Sequence, residues 1–295
     1  MIVTVERWLQ PSKGLEQFDG IDREMSRQRV DSWLMAQLTN DPIDPTAAFR
    51  LDGKVAIVTG ASSGLGSRFS QVLHAAGANV VATARRQDRL DTLVSSLPRA
   101  VSVVCDVSVD EDLERLVDST VERFGQIDVL VNNAGIANQI AAEDESVDDF
   151  RRVVDVNLNA LFLLSQLAGR HMIERGDGSI VNITSMLGLV ASAPIKQASY
   201  TASKGAVVNL TRELGTQWAR KGIRVNAIAP GWFPSEMTGD MFEDESSLAY
   251  VRRNTPMARP GQAHELDGVL LFLASPARSY VTGQTIVVDG GWTAR

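Results

Sequence analysis

Short apolar runs alternate with longer amphipathic stretches along most of this chain, beginning near residue 55. The runs lie at 55–59, 79–83, 101–105, 128–132, 179–184, 224–228 and 285–288. Most are Val, Ile and Ala with little polar alternation, the pattern of strands covered on both faces and hence of a parallel sheet. Between them, segments such as 110–124 and 199–221 repeat apolar residues three and four apart, which predicts helices. Strand and helix in strict alternation predict an α/β fold: a Rossmann-type, doubly wound, seven-stranded parallel sheet forming a single domain over residues 51–295.

Residues 1–50 stand outside this rhythm and read as an N-terminal extension. They hold Trp8 and Trp33 and a candidate amphipathic helix with Ile21, Met25, Val30, Trp33, Leu34 and Leu38 along one side. Asp41-Pro42 and Asp44-Pro45 then break the helix and form a linker. One reading is a plain surface arm; the other is an arm that packs on a neighbouring subunit, because an exposed Trp-bearing stripe invites association.

Composition narrows the function. The chain has 295 residues, with 29 Lys and Arg against 36 Asp and Glu, a net charge of −7. That balance lacks the positive field that a phosphate backbone demands, so nucleic acid is not expected as a partner. At 44% hydrophobic and 22% charged, it matches an ordinary globular protein. A single cysteine, Cys105, excludes an internal disulfide and a thiolate zinc cluster, and fits a reducing cytoplasm. His74, His171 and His264 are far apart in sequence and show no paired helical spacing, so no metal site is expected. No apolar run approaches the roughly 18 residues of a membrane span, and Glu6, Arg7 and Gln10 interrupt the place of a signal peptide's apolar core.

Candidate chemistry begins directly after the first strand, at Gly60-Ala61-Ser62-Ser63-Gly64-Leu65-Gly66. A glycine-rich turn opening a helix lets backbone N–H groups and the helix dipole meet an anion, as a dinucleotide pyrophosphate requires. The second strand ends Ala84-Arg85-Arg86 without the carboxylate that would accept ribose hydroxyls; this favours NADP(H) over NAD(H), with Arg85 the preferred partner of a 2′-phosphate and Arg86 a solvated helix start. Asp106, after the third strand, is placed either to accept from an adenine amino group or to cap its own turn. Farther on, Tyr200 and Lys204 are four apart in a helical segment and share one face. A cation beside a phenol favours the phenolate, so such a tyrosine can exchange a proton with a substrate oxygen.

With these motifs in place, the sequence resembles the short-chain dehydrogenase/reductase family over residues 51–292. Asn132-Asn133-Ala134-Gly135, Val156-Asn157-Leu158, Ile183-Thr184-Ser185, Pro230-Gly231 and Val288-Asp289-Gly290-Gly291 complete the likeness. The resemblance implies a catalytic tetrad of Asn157, Ser185, Tyr200 and Lys204. Tyr200 would be the general acid or base, Ser185 would hydrogen-bond the substrate oxygen, and Lys204 would lower the tyrosine pKa and hold the nicotinamide ribose. Asn157 would anchor a water leading to Lys204. Cofactor contacts would come from Gly60, Ser62, Ser63, Gly64, Leu65, Gly66, Arg85, Asp106, Val107, Asn133, Ala134, Gly135, Pro230 and Gly231. Ser185 precedes Tyr200 by slightly more than is usual in the family, so Ser192 and Ser199 are rivals, and the extra residues read as a longer loop.

The substrate is the least determined part. Ser185, Leu187, Gln197, Tyr200 and Trp232 are the expected contacts, and Met237, Met241 and Phe242 could form an apolar lid. These suggest a secondary alcohol or ketone with apolar surface. Lys196 and Gln197 suggest instead a polar or anionic substrate, such as a sugar acid, a polyol or a 3-oxoacyl thioester. A non-catalytic cofactor-binding regulator is disfavoured because all four tetrad positions are intact. The helices around 148–173 and 199–221 are expected assembly faces, and the resemblance implies a homo-oligomer, dimer or tetramer.

Overall fold

A computed structural model describes residues 44–294. Trp8 and the candidate helix bearing Trp33 lie outside the described residues. The compact unit starting at Thr46 is built on seven strands, all parallel, in the order β3-β2-β1-β4-β5-β6-β7. Their spans are β1 Val55–Thr59, β2 Asn79–Ala84, β3 Ala100–Val104, β4 Val129–Asn132, β5 Gly178–Ile183, β6 Ile223–Pro230 and β7 Thr285–Val288.

The helices are α1 Gly64–Ala75, α2 Gln87–Ser95, α3 Asp110–Phe124, α4 Val147–Val154, α5 Ala160–Arg175, α6 Ala198–Trp218, α7 Gly239–Glu243, α8 Glu245–Asn254 and α9 Asp267–Ala274. α3 forms where three acidic residues favour the positive helix start and Arg123 the negative end. The expected long helix near 148–173 is instead two helices joined by a π turn, Asp155–Asn159. An extra residue within a turn of that kind leaves the apolar spacing almost unchanged, and such turns gather at functional sites.

Side-chain alternation in β1 shows why helices must cover both faces. Ala56 and Val58 join Phe69 and Leu73 of α1 and Leu270 and Leu273 of α9. Val55 and Ile57 join Leu113 and Leu116 of α3, Leu164 of α5 and Leu214 of α6. Successive strand residues point to opposite faces, so a fully apolar strand needs an apolar layer on each. The edge strands β3 and β7 are only partly buried.

Candidate active site

β1 lies between β2 and β4, so the connections leave it in opposite directions and open a crevice at the carboxyl ends of the strands. Thr59 closes β1 and ties the β4 end to it: its hydroxyl accepts from the backbone N–H groups of Asn133 at 2.9 Å and Ala134 at 3.0 Å. The Asn133 amide in turn donates to the Thr59 carbonyl at 2.9 Å.

The turn after β1 requires its glycines. Gly60 has φ of +68°, and a Cβ there would stand 2.9 Å from the Asn133 amide nitrogen. A Cβ on Gly66 would stand 2.3 Å from the Gly60 carbonyl oxygen, so the first turn of α1 can sit on the loop only without one. The result is a cleft of about 710 Å³ lined by Gly60, Ser62, Ser63, Gly64, Leu65, Arg85, Asp106, Val107, Asn133, Ala134, Gly135, Pro230 and Gly231. Gly66 supports this wall from behind. The cleft ends at Ser185, Tyr200 and Lys204. Its size, its glycine turn at a helix start and its arginines fit an extended anionic dinucleotide.

At the far end the arginines divide. Arg85 is largely exposed, 3.8 Å from an Asp106 carboxylate oxygen. Asp106 gives its other oxygen to the Ser108 backbone N–H at 3.0 Å and the Ser108 hydroxyl at 2.7 Å, so it does cap its own turn. Arg86 is not a merely solvated helix start. It donates to the hydroxyls of Ser62 at 2.9 Å and Ser63 at 3.2 Å, and to both carboxylate oxygens of Glu236 at 2.7 and 3.1 Å. Arg89 pairs with the same carboxylate, and the Ser63 hydroxyl donates to it at 2.8 Å. Arg86 first, with Ser63 and Arg89, pulls the Glu236 carboxyl down to about 2 against the opposing effect of desolvation. Nothing in the sequence around Glu236 marked it, because its partners lie far away along the chain.

Chemistry at the other end is built on β5 and α6. Ser185 follows β5 by two residues; its hydroxyl accepts from the Leu187 N–H at 3.1 Å, and it lines the cleft together with Tyr200. Ser192 bonds the Ile195 carbonyl and Ser199 the Glu145 carboxylate, which leaves Ser185 as the serine at the phenol. Burial raises the Tyr200 pKa, and Ser185 opposes that shift. The expected lowering by Lys204 is not among the causes of that shift, which are burial and Ser185 alone. Lys204 is 4% exposed, and loss of solvation lowers its own pKa to about 8. Its ammonium donates to the Ile183 carbonyl at 2.8 Å and lies 5.7 Å from the Tyr200 ring centroid.

Asn157 sits in the π turn. Its side-chain oxygen accepts from the Ile136 N–H at 2.8 Å, and its amide donates to the Ile136 carbonyl at 2.9 Å and the Ser203 hydroxyl at 3.0 Å. Its side chain therefore pins the loop after β4 against α6. Below it a buried chain runs from Ser165 through Asn132 and Asn182 to Thr211, bonding α5, β4, β5 and α6 together at 2.9 to 3.0 Å. Asn182 and Thr211 were invisible to a reading of apolar periodicity, since each is one polar residue in an apolar pattern.

Three expected substrate contacts are placed off the cleft wall. Leu187 and Trp232 are buried with Met186, Val251 and Trp292, where their apolar area is covered by packing. Gln197 is 6% exposed at the start of α6 and also leaves the wall. Met237 and Phe233 line the wall in their place, together with Arg152 of α4. Met241 and Phe242 pack beside the buried tryptophans, and Lys196 faces Glu143 at 3.8 Å.

A family model described as enoyl-(acyl carrier protein) reductase matches residues 60–293. The chain is 43% identical over 253 residues to 2-dehydro-3-deoxy-D-gluconate 5-dehydrogenase of Bacillus subtilis, covering 84% of this chain and 98% of that one. It is 42% identical over 252 residues to gluconate 5-dehydrogenase of Gluconobacter oxydans, covering 83% and 96%. The crystal structure of a gluconate 5-dehydrogenase from Burkholderia cenocepacia, in complex with NADP and tartrate, superposes with a TM-score of 0.81 at 38% identity over 85% of this chain and 100% of that one. Likeness of that depth along nearly the whole α/β unit means that the chain belongs to the short-chain dehydrogenase/reductase family, as an NAD(P)-dependent oxidoreductase interconverting secondary alcohol and ketone.

Proposed function

We propose that this protein is a sugar-acid dehydrogenase that prefers NADP(H), with Tyr200 as its general acid and base. The observation that carries the chemistry is the convergence of Ser185, Tyr200 and the buried Lys204 ammonium on one end of the cleft. The substrate class is supported by the relatives named for gluconate derivatives, and by Arg152, which gives the cleft wall a cation for a carboxylate.

When bound, the nicotinamide supplies or accepts the hydride, and the chain does the rest. Gly60 to Gly66 and the start of α1 would hold the diphosphate, Asp106 and Val107 would meet the adenine, and Asn133, Ala134, Gly135, Pro230 and Gly231 would form the remaining wall. Ser185 donates to the substrate oxygen and steadies the charge that develops there. Tyr200 passes its phenolic proton to that oxygen in reduction and takes it back in oxidation. Lys204 keeps positive charge near the phenol, which favours release of that proton. Asn157 acts as a positioning residue.

Residues 51–295 form the catalytic domain in this reading, and residues 1–50 an added arm. Exposed Val147, Phe150 and Phe162 on α4 and α5 support assembly through that face, in a dimer or tetramer. The single buried cysteine suits the cytoplasm. A panel of gluconate, its keto acids, polyols and 3-oxoacyl thioesters, run with each nicotinamide cofactor, tests the reading. Turnover confined to thioesters, or to none of these, would refute it.

A further inference from the structure

We propose that Glu236 sets the cofactor preference: its carboxylate occupies, as a built-in rival, the subsite of Arg86, Arg89, Ser62 and Ser63 that receives a 2′-phosphate. The inference rests on the dinucleotide reading of the cleft and goes beyond it in assigning a residue from the loop after β6 to cofactor choice.

Position comes first. β2 ends at the buried Ala84, with no carboxylate for ribose hydroxyls; Arg85 comes next, and Arg86 then caps the start of α2. Arg86 reaches back across the cleft mouth to the hydroxyls of Ser62 and Ser63 on the glycine turn. Two guanidiniums and two hydroxyls converging on one point are a donor set suited to a phosphate monoester, since the planar arginine forks match paired oxygens. In this structure an anion already sits there. The Glu236 carboxylate takes two bonds from Arg86, one from Ser63 and an ion pair from Arg89.

Chemistry then forces a choice. A 2′-phosphate needs the same Arg86 and Ser63 donors that Glu236 holds, and two anions at contact distance repel. NADP(H) must therefore displace the carboxylate, whereas the free 2′-hydroxyl of NAD(H) makes no such demand. The segment that carries Glu236 is bonded within itself: the Thr238 hydroxyl accepts from the Ser235 N–H at 2.9 Å and donates to the Phe233 carbonyl at 2.8 Å, while Phe233 is anchored in the core, so displacing the carboxylate asks for a change at Glu236 rather than for unfolding of the turn. Glu236 thereby moderates the NADP(H) preference that the arginines confer.

Adenosine 2′,5′-bisphosphate and adenosine 5′-monophosphate differ only in the 2′-phosphate, and calorimetric titration of each provides a readout independent of turnover. Glu236→Gln should tighten the bisphosphate about three- to tenfold, the scale of a part-exposed ion-pair network, and leave the monophosphate within about twofold. Arg86→Gln should weaken the bisphosphate alone. The proposal is overturned if Glu236→Gln weakens both ligands, as a clasp that closes the cleft would, or changes neither. If the unmodified protein binds neither ligand and neither NAD(H) nor NADP(H), the dinucleotide reading itself fails. Full dinucleotide binding with no difference between the variants sinks only the role of Glu236.

Discussion

Tyr200 and Lys204 stand one turn apart on α6, and the ammonium lies 5.7 Å from the phenol ring centroid while donating to the Ile183 carbonyl. The cation is thus anchored on β5 independently of any ligand. Burial raises the phenol and depresses the ammonium, so each group is tuned against its charged form before a ligand arrives.

Removing the phenolic oxygen should therefore separate chemistry from binding. Tyr200→Phe is expected to lower kcat by about 10²- to 10⁴-fold, the usual contribution of a positioned acid or base. Dinucleotide affinity by fluorescence titration should stay within about twofold. Retained turnover would move the acid-base role to another residue.

Lys204 also gives stability a pH dependence of known sign. Its folded pKa of about 8 lies below the ordinary 10.5, so between those values the unfolded chain holds more protons and stability rises with pH. Lys204→Met abolishes that rise. Relative to the natural protein, the variant should do best below pH 8 and lose about 3 kcal/mol of that relative standing as pH climbs past 10. Urea unfolding of both proteins across this window measures it, and the unpartnered Ile183 carbonyl adds only a constant offset.

Gly66→Ala should damage the cofactor turn from behind. The new methyl would collide with the Gly60 carbonyl and the Asn133 amide, both fixed by the junction of β1 and β4. Overpacking of this kind costs about 1–3 kcal/mol. The melting temperature should fall, and dinucleotide binding should weaken at temperatures where the variant remains folded.

Asp128, far from the cleft, carries a separate test. Its carboxylate is 2% exposed and accepts from the Val55 N–H and the Gln126 amide at 2.8 Å, Lys54 at 3.1 Å and Arg175 at 3.2 Å. Asp128→Ala strands these donors and should cost about 2–4 kcal/mol in chemical unfolding, with cofactor affinity retained by the folded protein.

The sheet was legible because apolar strands and amphipathic helices announce their burial locally. Strand ends shifted by a residue or two, as at β3, which begins at Ala100 and leaves Cys105 outside. Tyr200, Lys204 and the glycine turn were legible because their chemistry depends on short spacings. Trp232 and Leu187, expected on the cleft wall, are buried beneath it, since nothing in a sequence tells a residue that packs under a loop from one that lines it. Arg86 and Glu236 required the fold itself, which brings them together from opposite halves of the chain.

That packing under the loop has an optical consequence. The indoles of Trp232 and Trp292 meet edge to face, 5.6 Å between centroids and 76° between planes, where the chain leaves β6 and where it follows β7. Two transition dipoles so close and so fixed couple and should give a signed pair of bands in near-ultraviolet circular dichroism. Because Trp232 begins the segment that carries Glu236, loss of that pair of bands would report repacking at the base of the segment, without a label.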